Sequence, residues 1–128
     1  MRPLALIINS STENTNEISS VLENYGVEVM SASNGLEGLQ CLYSTSPNII
    51  ICDYDLSLIH GTDVIKTAKN LKRLKNIPFI FTAESPSQEA MVTANSLGAD
   101  AFIYQPVSTC NLIYTIKKHI PTELLEIA

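Results

Sequence analysis

One apolar run stops at a carboxylate: Asn48-Ile49-Ile50-Ile51-Cys52 ends at Asp53. Consecutive β-branched residues with no polar alternation read as a short strand buried on both faces. In an open parallel sheet, ligands and chemistry collect in the crevice at the carboxyl ends of the strands, so Asp53 stands where a reactive group belongs. A strand-end aspartate that only caps the following loop fits the same pattern. Asp55 follows two residues later, and His60 reads as a loop residue before Gly61. Three other apolar runs end in polar or small residues of interest, at Asn9-Ser10, at Thr82-Ala83 and at Gln105-Pro106.

The elements that must position these groups follow from periodicity and punctuation. Leu4 to Ile8 is a second buried strand, and Ser11 or Thr12 caps a helix with Ile18, Val21, Leu22 and Tyr25 at helical spacing, closed by Gly26. Val27 to Ala32 is a strand near a sheet edge, because Glu28 interrupts it. Asn34 caps a helix from Gly35 to Tyr43 with Leu36, Leu39 and Tyr43 inward, and Pro47 ends the loop after it. Thr62 caps a helix with Ile65, Ala68 and Leu71 inward that closes near Leu74. Pro78 to Thr82 is the fourth strand. Ser85-Pro86 then opens a helix through Met91 and Ala94 to Leu97, stopped by Gly98. Ala101 to Tyr104 is the fifth strand, broken by Pro106. Ser108 or Thr109 caps a last helix with Leu112, Ile113, Ile116 and Ile120 inward, ended by Pro121. Five alternations with short connections predict an α/β fold: a parallel sheet covered by helices on both faces, joined by right-handed crossovers.

Composition narrows the function classes. The chain has 128 residues, 45% of them hydrophobic, enough for one domain with a real core. Residues 1–121 read as that domain and 122–128 as a tail, in which Leu124, Leu125 and Ile127 leave three roles open: packing back, dimerising, or leading into a further domain. No apolar run approaches the ~20 residues that cross a bilayer, and the first residues are too short for a signal peptide, so a cytoplasmic protein without membrane contact is expected. Cys41, Cys52 and Cys110 are isolated and read as reduced core thiols. Thirteen acidic against eight basic residues, net charge −5, argue against nucleic-acid binding. Lys66, Lys69, Lys72, Arg73 and Lys75 crowd one predicted helix and read as a solvated outer face.

Taken together, the strand ending at Asp53, the segment to Gly61, Thr82-Ala83, and Gly98-Ala99-Asp100-Ala101-Phe102 leading to Gln105-Pro106 resemble the receiver domain of two-component response regulators. The resemblance covers Pro3 to about Ile120. It implies a doubly wound, flavodoxin-like (βα)5 fold with five parallel strands in the order 2-1-3-4-5. It also implies that Asp53 is the phosphoacceptor, that Thr82, Ala83 and Gln105 stand at phosphoryl-contact positions, that Phe102 is the aromatic that changes rotamer, and that Pro106 follows a cis bond. Phosphorylation of a carboxylate in this family needs magnesium and fixed positive charge nearby. The family's acidic pair is Asn9 and Ser10 here, and its lysine is Gln105. The resemblance therefore implies a weak magnesium site, held by Asp53 and Asp55, since magnesium prefers charged oxygen ligands.

The leading expectation is a divergent receiver that acts as a signalling and protein-interaction module with weak or absent phosphorylation of Asp53. It would be no enzyme beyond self-phosphorylation and dephosphorylation there. The resemblance implies as partners a histidine kinase or phosphotransfer protein if phosphorylation survives, an effector protein or output domain, and a homodimer. An ordinary phospho-accepting receiver with an altered magnesium site is the second reading. The third is a flavodoxin-like electron carrier binding FMN through Ser10-Ser11-Thr12-Glu13-Asn14-Thr15, because hydroxyls and helix N-terminal amides bind phosphate.

Overall fold

A computed structural model of the chain describes residues 2–126; Met1, Ile127 and Ala128 lie outside it, and with Ile127 one apolar residue of the tail. Five strands alternate with five helices: β1 Leu4–Ile8, α1 Thr12–Asn24, β2 Glu28–Ala32, α2 Gly35–Ser44, β3 Ile49–Asp53, α3 Gly61–Asn70, β4 Phe79–Ala83, α4 Gln88–Ser96, β5 Ala101–Tyr104 and α5 Thr109–His119. All neighbouring strands are parallel, in the order β2-β1-β3-β4-β5. The expected fold class and strand order hold, and β2, with Glu28 exposed, is an edge strand.

The continuous apolar strands feed two cores because alternate side chains point to opposite faces. Leu6, Ile8, Ile50, Cys52, Phe79 and Phe81 meet Leu42, Val64, Ile65 and Ala68 from α2 and α3 on one side. Ala5, Ile7, Ile49, Ile51, Ile80 and Ile103 meet Ile18, Leu22, Leu112 and Ile116 from α1 and α5 on the other. Each fully buried Phe or Ile contributes on the order of 2 kcal/mol. Those two cores hold the carboxyl ends of β1, β3, β4 and β5 in fixed register, with Asp53 opposite Thr82.

Several local expectations are corrected. In α2 the buried residues are Gly35, Gly38 and Leu42, while Leu36 and Tyr43 face solvent and Leu39 is partly buried. Close approach turned the helix: a Cβ on Gly35 would lie 2.1 Å from the carbonyl oxygen of Ile59, and one on Gly38 would lie 2.7 Å from Ile8 Cδ1. Helix α3 starts one residue before Thr62 and is capped by His60, whose Nδ1 accepts the Thr62 N–H at 3.1 Å. It stops at Asn70, so Leu74 is buried from the turn beyond, where its N–H and that of Lys75 both donate to the Leu71 carbonyl. Lys72, Arg73 and Lys75 lie in that turn and not in the helix.

Strand β4 runs one residue further than expected, through Ala83, and Glu84 to Pro86 carry the chain out of the sheet. The cap of α4 is then Ser87, which accepts the Ala90 N–H at 3.0 Å, and not Ser85. Ser11, Asn34 and Ser108 cap α1, α2 and α5 as read from the sequence. Of the cysteines only Cys52 is fully buried; Cys41 is partly buried and Cys110, in the first turn of α5, is exposed. Burial pushes the Cys52 thiol well up, as it does the Cys41 thiol more mildly, with Glu37 adding to the latter. Of the tail's three open roles the described part packs back: Leu125 is buried in the α1–α5 core, and the Glu126 N–H donates to the Tyr25 carbonyl at 2.8 Å.

Candidate functional site

Asp53, half-buried, closes β3 at the edge of a polar cleft of about 420 Å³. Asn9 and Ser10 line it from the end of β1, Ser11 and Asn14 from the start of α1, Asp55 from the β3–α3 loop, Glu84 and Ser85 from the end of β4, and Gln105 from the end of β5. Four strand ends therefore bring together residues that the sequence spreads over 97 positions.

No cation faces the carboxylate within this set. Burial first, then the charges of Asp55 and Glu84, push the Asp53 carboxyl up to about 6, partly offset by the N–H groups of Asp55 and Tyr54. The position read as the phosphoryl-contact amide, Gln105, is tied to the protein itself. Its Nε2 donates to Thr82 Oγ1 at 2.9 Å, and its Oε1 accepts from Asn14 Nδ2 at 3.3 Å. Its backbone N–H donates to the Ala83 carbonyl at 2.8 Å. Thr82 is 1% exposed and Ala83 is buried at the end of β4. The Gln105–Pro106 peptide bond is cis.

Asn9 is 4% exposed, and its only side-chain oxygen accepts the Ser11 N–H at 2.9 Å. That bond orients the amide so that Nδ2 is enclosed and has no partner. Such an enclosed donor costs ~1–3 kcal/mol. The amide offers a metal only a neutral oxygen, and that oxygen already accepts the Ser11 N–H. Asp55 is no better placed: its side chain is 77% exposed, and its Oδ1 lies 3.7 Å from His60 Nε2. Because His60 Nδ1 accepts from Thr62, the ring hydrogen belongs on Nε2, facing Asp55. Among the described residues no group of three or more His, Cys, Asp or Glu side chains is arranged to hold a metal ion. The donors at Asn9, Asp53 and Asp55 thus fit magnesium poorly.

Phe102 is partly buried, packed within 5.8 Å of Tyr54 and 5.9 Å of Phe81, ring centre to ring centre. Tyr54 joins this group to the loop, standing edge-on to His60 at 4.8 Å and to Phe81 at 5.2 Å. The sequence reading missed Tyr54 because an aromatic beside a strand-end aspartate carries no distinctive spacing. Asn14, read from the sequence as part of a flavin phosphate loop, stands instead in the first turn of α1, with its backbone N–H on Ser11 Oγ and its side chain on Gln105.

The loop from Tyr54 to His60 is closed by the Gly61 N–H on the Tyr54 carbonyl and puts Leu58 at φ +69°. A leucine there is strained by ~1–2 kcal/mol, a conformation asparagine tolerates better. Leu58→Asn is expected to stabilise the fold by ~0.5–1 kcal/mol, read as a higher urea midpoint at unchanged slope.

Nothing supports the reading of the hydroxyl-rich segment from Ser10 to Thr15 as a flavin phosphate loop. Ser11 Oγ is committed to capping α1, and the adjacent cleft carries Asp53, Asp55 and Glu84. The comparisons with known proteins point the same way. A sequence profile of the response regulator receiver domain matches residues 5–117. The chain is 25% identical to Protein PilG of Pseudomonas aeruginosa, over 91% of this chain and 87% of that protein. It is 27% identical to the polar-differentiation response regulator DivK of Brucella anthropi, over 90% of this chain and 94% of that protein. Among solved structures it is similar to a CheY-like response regulator receiver domain protein from Methanospirillum hungatei JF-1. There the TM-score is 0.87 at 28% identity, covering 96% of this chain and 98% of the other. The chemotaxis protein CheY4 of Vibrio cholerae, 21% identical, shares the fold with a TM-score of 0.87 over 94% of this chain and all of its own.

Proposed function

The chain belongs to the response regulator receiver domain family, and from that premise we propose that it is a divergent member, signalling by protein contact with phosphorylation of Asp53 weak or absent. Receiver domains of two-component systems work with histidine kinases and effector targets, and they generally bind magnesium. What supports the divergent reading is the wiring of Gln105. The position matching the family's lysine holds a neutral amide bonded on one side to Thr82 and on the other to Asn14. Asn9 offers a neutral oxygen, already bonded to the Ser11 N–H, where a carboxylate would serve a cation. A phosphoryl group arriving on Asp53 would bring negative charge to a cleft that already holds Asp55 and Glu84 and no counter-charge.

In this reading the protein acts in the cytoplasm, has no catalytic activity beyond slow self-phosphorylation and dephosphorylation, and meets its effector through the α4–β5–α5 face. Val92, Tyr104 and Tyr114 are exposed there, and the Tyr104 hydroxyl reaches Met91 Sδ at 3.5 Å. Phe102 is packed against Tyr54 and Phe81 and adds little to that surface. Incubating the chain with acetyl phosphate and magnesium and weighing it intact is expected to show little or no phosphate adduct. A stoichiometric adduct that disappears in Asp53→Ala would refute the reading and leave an ordinary phospho-receiver.

A further inference from the structure

Two surfaces on opposite layers of the sheet pair apolar side chains with opposite charge. On the α2–α3 layer, Leu36 (47% exposed) and Tyr43 (65% exposed) stand two turns apart on α2, ~10 Å along the helix. Leu58, 76% exposed, lies by the start of that helix, where the Gly35 N–H donates to the Ser57 carbonyl. Five of the eight Lys and Arg residues fall within 66–75, with no acidic residue among them. Among the described residues none of the five has a carboxylate within 4.0 Å. Arg73 fastens this basic segment to the end of α2 by donating to the Leu42 and Thr45 carbonyls and to Ser46 Oγ.

On the other layer, α1 and α5 border a groove of about 310 Å³ lined by Ile18, Val21, Val107 and Leu112, with the hydroxyls of Ser20 and Thr109 beside them. Glu17 stands on its rim, and Glu13 lies one turn earlier on the same helix. All thirteen acidic residues lie outside the 66–75 segment; Glu37 shares α2 with the ridge, and Lys117 and Lys118 stand in the last turn of α5, at the far end of that helix from Val107 and Thr109. An exposed apolar ridge beside positive charge and an apolar groove beside negative charge are the two halves of one contact.

We propose that a second copy of this chain seats its Leu36–Tyr43 ridge in the α1–α5 groove, with Lys66 and Lys72 facing Glu13 and Glu17. Ridge and groove are different surfaces, so the contact is heterologous: one copy of a pair keeps an unfilled groove and the other an unseated ridge, and association runs head to tail beyond the dimer. The inference does not depend on whether Asp53 is phosphorylated, since neither surface includes the cleft.

Sedimentation velocity of the full chain from ~10 µM to ~1 mM, the range of weak protein contacts, tests it. The weight-average mass is expected to rise above the 14.0 kDa monomer with no plateau at the dimer. Tyr43→Ser should abolish the rise, and so should Lys66→Glu with Lys72→Glu. Adding Glu13→Lys and Glu17→Lys to that charge-reversed chain should restore it. All five positions are exposed, and an unchanged unfolding midpoint will show that the variants fold. A monomer throughout the range overturns the proposal. So does failure of the charge exchange to restore association, or a closed dimer that survives Tyr43→Ser and is broken by Tyr104→Ser on the α4–β5 face.

Discussion

Asn9→Asp, Ser10→Asp and Gln105→Lys, made together, are expected to raise magnesium affinity by at least ~100-fold and to turn Asp53 into a phosphoacceptor that acetyl phosphate modifies to completion. Two unit charges ~4 Å apart contribute ~4 kcal/mol at an effective dielectric near 20, and a divalent ion raises that further, before the cost of desolvating the new carboxylate. Half of that already corresponds to ~30-fold, and two carboxylates act together. Asn9→Asp also removes the enclosed Nδ2 donor, while its remaining oxygen can still accept the Ser11 N–H. Ser10 is exposed at the cleft, so a carboxylate there keeps most of its hydration. Gln105→Lys supplies the counter-charge and releases Thr82 Oγ1 from its present donor. Titration calorimetry with magnesium and intact mass after acetyl phosphate measure the two effects. If the triple variant binds magnesium no better than the parent, charge is not what limits this site, and the account of a neutralised cleft fails.

Asp53→Asn is expected to stabilise the fold at pH 7.5 by ~1–2 kcal/mol and to change little at pH 4. Lifting the carboxyl from its ordinary 3.8 to about 6 corresponds to ~3 kcal/mol. Solvent screening of a half-exposed group reduces that figure. The direction follows from proton counting. Between 3.8 and about 6 the folded chain holds a proton that the unfolded chain has released, so stability falls as pH rises through this window and the full cost of the charge stands above it. Asparagine keeps the shape and carries no charge, so it should flatten that part of the profile. Urea unfolding of both chains at several pH values between 3.5 and 8 reads it directly. A variant less stable than the parent at pH 7.5 would mean that Asp53 has a stabilising partner after all.

The two expectations share one cause. A carboxylate is held in a cleft with other carboxylates and without a cation, and that arrangement costs stability whichever function it serves. Asp55 can relieve little of it, turned as it is toward His60 and largely in solvent.

Much of this was legible from the order of residues. The unbroken apolar runs at Leu4–Ile8 and Ile49–Cys52 read as strands buried on both faces, Pro78 to Thr82 as a further strand, and Ser11 or Thr12, Asn34, and Ser108 or Thr109 marked where three helices begin. Fold class followed because these are local rules: strand period, cap chemistry and short crossovers act within a few residues. The neutral residues Asn9, Ser10 and Gln105 were legible through the resemblance to receiver domains, whereas Glu84, which acts with Asp55 on Asp53, carried no signal in the sequence.

What only the tertiary structure decided depends on groups far apart in the chain. The row Leu36, Leu39 and Tyr43 has the spacing of a buried face. Whether it is buried is settled by how closely Gly35 and Gly38 let α2 approach Ile59 and Ile8, which periodicity does not encode. His60 was read as a loop residue and proved to be the cap of α3, because its Nδ1 meets the Thr62 N–H only in the folded loop. Gln105 could have turned to solvent, yet 23 residues from Thr82 and 91 from Asn14 it is bonded to both. Side-chain hydrogen bonds across strands are set by sheet register and by the competition among neighbours, and these exist only once the chain has folded.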